Sequence, residues 1–395
     1  MEKSNFESLT EDHQMNILSR LPLKSLVKFL LVSKKWASMI RSTKFNVDYL
    51  SRSMTRPRVM FMVQRDTSQP PEPTMLWFDT IYKEQTLTTE PLYTEVLFYS
   101  VYQEEEPLLS SGQQQLRISL HSKYGVSQPI RGLICLRLKT KLAICNPGTR
   151  MFHTLPEIQA PEDSYITSFL GYAEATNVFK VLCLTQLKSH EPLGGALEYL
   201  VLTVEPGQEE SWRSITCPHK HACVSLQLEG ICKGGVLYYG AYRLQPDESQ
   251  SNSDKLVLMS FNVRSEEFAV IRYPDYDSDY TNWRFVFYKE KIALVNDSDF
   301  DKEDVNDEPN LDNETVNDEP NGTKVFHIIV LDESTQQWER TPIKILHWEE
   351  AVGAKEFYFQ GTIGENELVF AQYSTKRGGP DYCVLYYNTR EFQKV

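Results

Sequence analysis

The feature that most restricts the fold is a phrase that recurs five times: an apolar strand, a polar turn, then an aromatic residue opening a second strand. The copies are ICNPGTRMFHTL, LTVEPGQEESWRSI, SFNVRSEEFAVI, IVLDESTQQWERTPI and LYYNTREFQKV, with anchors Phe152, Trp212, Phe268, Trp338 and Phe392. Successive anchors lie 60, 56, 70 and 54 residues apart. A weaker sixth copy, LWFDTIYKEQTL, occupies 76–87. A multi-strand unit repeated at roughly this period is what propeller blades look like in sequence. A sandwich or two smaller β domains, in which strand-turn-strand units recur by chance, is the alternative that the pattern leaves open.

The stretches between the copies agree with a large all-β region. RVMFMV, GLICLRL, KLAICN, VFKVLCL, GVLYYGA, LVLMSF, WRFVFY and FHIIVL are short, rich in β-branched and aromatic residues, and bounded by turn residues. Beyond residue 56 only HWEEAVG, 347–353, reads as helix.

The beginning of the chain has a different texture. Thr10 is placed to cap a helix whose first turn carries Glu11 and Asp12, with Ile17, Leu18 and Leu21 as its apolar stripe up to Pro22. Ser25 or Leu26 restarts the stripe through Phe29, Leu30 and Val32, and Ser33 can cap a third helix carrying Trp36, Met39 and Ile40. Three helices of about ten residues are marginal alone. Their apolar faces are expected to meet something outside themselves.

Charge supports a partner for this part. The chain of 395 residues carries a net charge of −13, yet residues 1–56 sum to +5 and residues 296–323 to −10. The acidic tract includes a tandem, VNDEPNLDNET followed by VNDEPNGT. It cannot bury enough apolar surface to fold and is expected to be a disordered loop between two strands. No apolar run reaches the ~18 residues of a membrane helix. The polar, acidic opening MEKSNFESLTED resembles neither a signal nor a transit peptide. Seven cysteines without a Cys-x-x-Cys read as reduced thiols of an intracellular protein, cytoplasmic and/or nuclear.

Candidate chemical sites are few. Asp297, Asp299, Asp301 and Glu308 fall at positions 1, 3, 5 and 12 of a calcium loop, but Lys302 stands where the sharp turn needs glycine. CPHKHAC offers Cys217, His219, His221 and Cys223. In an extended segment four alternate side chains would span ~20 Å, too far for one tetrahedral ion. No Gly-x-Ser-x-Gly, phosphate loop, dinucleotide glycine pattern or His-Glu-x-x-His is present. The basic residues Lys34, Lys35, Arg41 and Lys44 lack the interleaved aromatics of a base-stacking surface. The reading is therefore of a non-enzyme without cofactor or metal, binding neither nucleic acid nor membrane.

Two parts of the chain resemble known families. Leu9 to about Leu50, LTEDHQMNILSRLPLKSLVKFLLVSKKWASMIRSTKFNVDYL, resembles an F-box, chiefly through ILSRLPLKSLVKF and VSKKWASMI. The remainder resembles the plant F-box-associated type 3 domain, a β-propeller, through RGLICLRLKTKLAICNPGTR, FLGYAEATNVFKVLCL, GICKGGVLYYGA, SFNVRSEEF and VLYYNTRE. The resemblance implies an α+β multidomain chain: a small three-helix F-box, 1–50, followed by a large all-β kelch-like propeller, 51–395, interrupted by the acidic insertion at 296–323. It further implies a substrate receptor of a Skp–cullin–F-box ubiquitin ligase. The F-box would dock a Skp-like adaptor, and through it a cullin-RING ligase, while the β domain would hold an unknown target protein. Carried onto this sequence, the adaptor-binding residues are Leu9, Ile17, Leu18, Leu21, Pro22, Leu26, Val32 and Trp36. Thr10, His13 and Asn16 depart from the family pattern, where proline, an apolar residue and glutamate are usual. Two rival readings are a propeller binding protein acting outside ubiquitination and an enzyme on a kelch-like propeller, such as a copper oxidase. The latter would need a Tyr, His and Cys ligand set that the sequence does not display.

Overall fold

The computed structural model describes residues 9–49 except 22, 43, 46 and 47; 58–67; 93–102; 113–120; 125–187 except 148, 149, 162 and 163; 197–223 except 206 and 208; 230–243; 256–274; 283–296; 323–352; 357–363; 367–372; and 384–388. Of 58–67, 93–102, 113–120 and 384–388, and of residues 23, 24, 27, 350, 351, 363 and 372, it describes the backbone alone. Contacts divide the chain into two units, Met1–Leu155 and Pro156–Val395.

The recurring phrase folds as the last hairpin of a sheet. In the first unit β4 (Gly125–Val126), β5 (Ile134–Leu138), β6 (Lys141–Asn146) and β7 (Met151–Thr154) form an antiparallel sheet in sequence order, and the first copy is β6–β7. Phe152 lies in β7 opposite Cys145. This unit also holds β1 (Arg58–Thr67), β2 (Tyr93–Tyr102) and β3 (Gln113–Leu120), likewise paired in order.

The second unit repeats the plan. β8 (Ser164–Ala173), β9 (Val178–Leu187), β10 (Leu197–Val204) and β11 (Arg213–Ile215) make one sheet, with Trp212 immediately before its last strand. The next has β12 (His221–Cys223) and β13 (Ile231–Lys233) both pairing β14 (Val236–Arg243), followed by β15 (Leu256–Asn262) and β16 (Phe268–Arg272), which Phe268 opens. β17 (Trp283–Tyr288), β18 (Lys291–Asn296), β19 (Lys324–Asp332) and β20 (Gln337–Ile345) form a third, with Trp338 in β20. A fourth comprises β21 (Phe357–Ile363), β22 (Glu367–Gln372) and β23 (Val384–Asn388). The helix expected near 347 is Trp348–Val352.

The acidic insertion joins β18 to β19, adjacent antiparallel strands. Its residues 297–322 lie outside those described, as do the calcium-loop positions, the sixth copy at 76–87, Phe392, Cys383 and Pro22.

The apolar runs become the middle strands because those strands are covered on both faces. Along β9, five consecutive residues from Val181 to Thr185 are buried, and along β18 every residue from Ile292 to Asn296 is. Such strands read as unbroken apolar runs rather than alternating ones. The last strand of a sheet is more exposed, as the mixed pattern of β20 shows. Three clusters fill the second unit. One gathers around Tyr239, Met259 and Phe261, another around Leu258, Ile292 and Leu294, and a third around Phe326, Phe359 and Phe370. None of the six described cysteines is in a disulfide, and four of them are buried.

The anchor tryptophans tie their strand to chain outside their own sheet. Trp212 Nε1 donates to the Pro156 carbonyl at 2.7 Å, and Trp338 Nε1 donates to the Arg272 carbonyl at 2.8 Å. An indole combines a large apolar area with one donor, which suits a place at a partly covered strand beside a backbone carbonyl. β21 and β17 meet still more closely. Gly361 sits at φ +125°, and a Cβ there would lie 2.7 Å from the Phe287 carbonyl oxygen.

Candidate functional site

The helices are α1 (Glu11–Leu18), α2 (Leu23–Phe29) and α3 (Lys34–Arg41). α2 begins earlier than the expected Ser25 or Leu26, directly after the Leu-Pro break. Ser33 caps α3 as expected, its hydroxyl accepting from the Trp36 amide at 3.2 Å. Thr10 occupies the cap position of α1 without capping it. Its hydroxyl is bonded instead to His13 Nδ1, 2.6 Å away. Asn16, another departure from the family pattern, accepts from Arg20 Nε at 3.4 Å and, through its carbonyl, from the Ser19 hydroxyl at 2.9 Å. The unusual residues are thus engaged with each other and with their own helix.

The helices, whose apolar faces were expected to meet something outside themselves, also close a small interior of their own. Met15, Leu18, Leu26, Met39, Ile40 and Phe45 form a buried cluster, with Leu21, Phe29, Leu30 and Tyr49 packed at its margin. The physical reason is the chain after α2. α3 and Phe45 add apolar area that the first two helices lack. Trp36 lies against Phe29 with ring centroids 5.0 Å apart, and Phe45 stacks on Tyr49 at 5.9 Å. An exposed ion pair between Lys44 and Asp12 at 3.0 Å joins the end of this segment to α1; such pairs contribute little.

The eight residues singled out from sequence therefore divide by place. Leu18 and Leu26 are inside the helical cluster, and Leu21 packs against it. Leu9 and Trp36 are half-buried. Ile17 and Val32 face solvent, 42% and 60% exposed. Pro22 lies outside the described residues. Sequence reasoning missed Leu31, which is 89% exposed. Its signal was the unbroken run Phe29-Leu30-Leu31-Val32, since four consecutive residues around a helical turn cannot all face one small core. Fully burying a Leu, Ile or Val is worth ~1.5–3 kcal/mol, so leaving three outward is a cost unless another surface covers them.

The residues of CPHKHAC do different work. His221 is fully buried. Its Nδ1 bonds the His219 carbonyl at 2.6 Å, so that nitrogen carries the hydrogen, and Nε2 accepts from the Tyr239 hydroxyl at 2.9 Å. The His221 amide donates to the Tyr199 hydroxyl at 3.1 Å. The Cys217 thiol donates to the His219 carbonyl at 3.1 Å. Burial holds the imidazole pKa down, to about 4, and pushes the Cys217 thiol and the Tyr199 phenol up. The group is a satisfied neutral network. Among the described residues no cluster of three or more His, Cys, Asp or Glu is arranged to hold a metal ion.

Comparison with known families decides what the two regions are. Residues 6–48 match the F-box domain, and residues 83–394 match the family described as the F-box associated beta propeller domain. The chain belongs to the F-box proteins with an associated β-propeller domain. F-box proteins are typically non-catalytic adaptor subunits. Similar F-box proteins occur in Arabidopsis thaliana. One, At1g70970, is 54% identical over 98% of this chain and 92% of its own, and At1g70960 is 43% identical over 98% and 91%. The F-box/kelch-repeat protein At3g04660 is 28% identical over 96% of this chain and 84% of its own. Among solved structures the WD40 domain of SCAP from fission yeast aligns at a TM-score of 0.32 and 10% identity, covering 76% of this F-box protein and 82% of that chain; no argument rests on so distant a likeness.

Proposed function

We propose that this F-box protein is a substrate receptor of an SCF-type ubiquitin ligase. Residues 1–50, with their three helices, are the docking module for a Skp-like adaptor. Residues 51–395 form a kelch-like propeller that holds the target protein, and the word kelch in the name of one relative is consistent with that arrangement. The receptor itself performs no chemistry. It raises the effective concentration of a client lysine near a conjugating enzyme carried elsewhere in the ligase.

The observation that carries the reading is the separation of two apolar sets in the F-box. One set closes its own interior, while Ile17, Leu31 and Val32 are left facing solvent. Covering those three on a partner supplies several kcal/mol toward the cost of association. The +5 charge of residues 1–56 would speed encounter with an acidic adaptor surface.

Capture of the full-length protein by an immobilised Skp-type adaptor tests this. Leu31→Asp combined with Val32→Asp should weaken capture at least a hundredfold while leaving the helical circular-dichroism signal unchanged. Leu26→Ala should instead loosen the helices, at ~2–5 kcal/mol for a buried leucine. Capture that persists undiminished in the double aspartate variant refutes the docking surface. A wild-type protein that the adaptor does not retain favours the binding protein that acts outside ubiquitination.

A further inference from the structure

The first hairpins of four sheets in the 156–395 unit end together around one cavity. Glu174 lies in the β8–β9 turn, Lys233 and Gly234 at the β13–β14 turn, Phe287 and Glu290 at the β17–β18 turn, and Thr362 near the end of β21. These six line a space of about 370 Å³. Ligand pockets span ~300–1,000 Å³, so this one suits a long side chain rather than a folded element. One wall is fixed by backbone, since the Lys289 amide donates to the Thr362 hydroxyl at 2.7 Å.

The charges around it are unevenly satisfied. Lys233 is ion-paired with Glu333. Lys289, beside the cavity, holds its ammonium over the Tyr288 ring, 5.2 Å from the centroid. Glu174 and Glu290 are exposed, and no ion pair joins either of them among the described residues. Against the two unpaired carboxylates stand Lys233, already paired, and Lys289, drawn over the Tyr288 ring, so the balance at the rim is negative. A cation would find its complement there.

The turn that supplies Glu290 is costly to build. Two-residue hairpins place both residues at positive φ, which glycine and asparagine tolerate best. The β13–β14 turn conforms, with Gly234 at +56° and Gly235 at +79°. The β17–β18 turn instead puts Lys289 at +48° and Glu290 at +61°. Side chains there cost free energy that glycine would not. What they add is a carboxylate at the rim, three residues after the aromatic wall of Phe287.

The geometry points to this cavity as the client-recognition pocket, taking a Lys or Arg side chain of an extended client segment. The stem of that side chain lies along Phe287 and its charge faces Glu174 and Glu290. The assignment rests on the receptor reading and names the chemistry of its client. The chain's overall −13 charge favours the approach of cationic segments.

The probe is a displayed library of random heptapeptides, selected on the full-length protein. Peptides carrying Lys or Arg should dominate, and the strongest should bind roughly five- to tenfold more weakly to Glu174→Gln/Glu290→Gln, as expected for two partly solvated ion pairs. A second variant, Lys289→Asn/Glu290→Gly, restores the preferred turn chemistry. It should melt no lower than wild type yet lose roughly threefold in affinity, for the one carboxylate it removes, which separates binding from folding. Selected peptides without Lys or Arg, no enrichment over the library, or affinities within twofold across the variants would each overturn the assignment. Adaptor capture on the same preparations reports separately on the receptor reading, and both double variants should retain it.

Discussion

Acid should weaken the second unit, and one buried imidazole carries a separable share of the loss. His221 is neutral and fully buried, with pKa held down to about 4 from an ordinary 6.5. Once unfolded, the same ring binds a proton below pH 6.5, so between pH 6.5 and about 4 the unfolded chain takes up more protons than the folded one. The stabilisation is complete above pH 6.5 and is lost progressively as pH falls through that window. At ~1.4 kcal/mol per tenfold change in proton affinity the whole loss is ~3 kcal/mol, and between pH 7 and pH 5 it is ~2 kcal/mol. His219, whose charge also bears on the ring, is present in wild type and variant alike. Tyr199, Tyr239, Cys217 and Cys223 are all pushed upward by burial and stay protonated throughout. Urea unfolding of the full-length protein, followed by tryptophan fluorescence at half-unit steps from pH 7.5 to 4.5, gives the slope. His221→Gln keeps an amide able to donate and accept in place of the imidazole, and removes the titration. It should start lower, by ~1–3 kcal/mol for an imperfect network, and show a shallower slope, with the two curves converging as pH falls. Parallel curves for wild type and variant would refute the reasoning, because they would mean that the buried ring is not the titrating group.

Three further substitutions, one of them a control, probe the packing between sheets. Trp338→Phe keeps much of the apolar area but leaves the Arg272 carbonyl without its indole donor; a loss of ~1–2 kcal/mol in the same urea assay is expected. Gly361→Ala must place a methyl 2.7 Å from the Phe287 carbonyl at a φ of +125°, so it should cost at least ~2 kcal/mol. Gly207→Ala, also at positive φ but with open space around it, should cost ~1 kcal/mol or less, and equal losses at the two glycines would contradict the close approach of β21 to β17.

Much of the local architecture follows from neighbours along the chain. The recurring phrase fixes a hairpin because its apolar strand, turn residues and aromatic restart lie within about fifteen positions. Four of its five copies are found as the closing hairpin of a sheet, and the fifth begins at β23. Ser33 could be named as a cap because capping is a contact across three residues. The middle strands were recognisable because burial on both faces leaves an unbroken apolar run.

Tertiary structure alone decided the rest, and in each case the deciding contact is distant in sequence. Leu18 and Leu26 went inward while Leu31 and Val32 stayed outward, because α3 and Phe45 close over one side of the helices and not the other. In sequence His221 stood only beside Cys217, His219 and Cys223, a spacing that argued against a metal ion without giving the ring another role. It became a buried hydrogen-bonding ring because Tyr199 and Tyr239 arrive from two other strands. The cavity lined by Glu174, Glu290 and Thr362 draws on turns separated by up to 188 positions. No spacing rule reaches that far, since residue spacing encodes a periodicity and not the meeting of separate sheets.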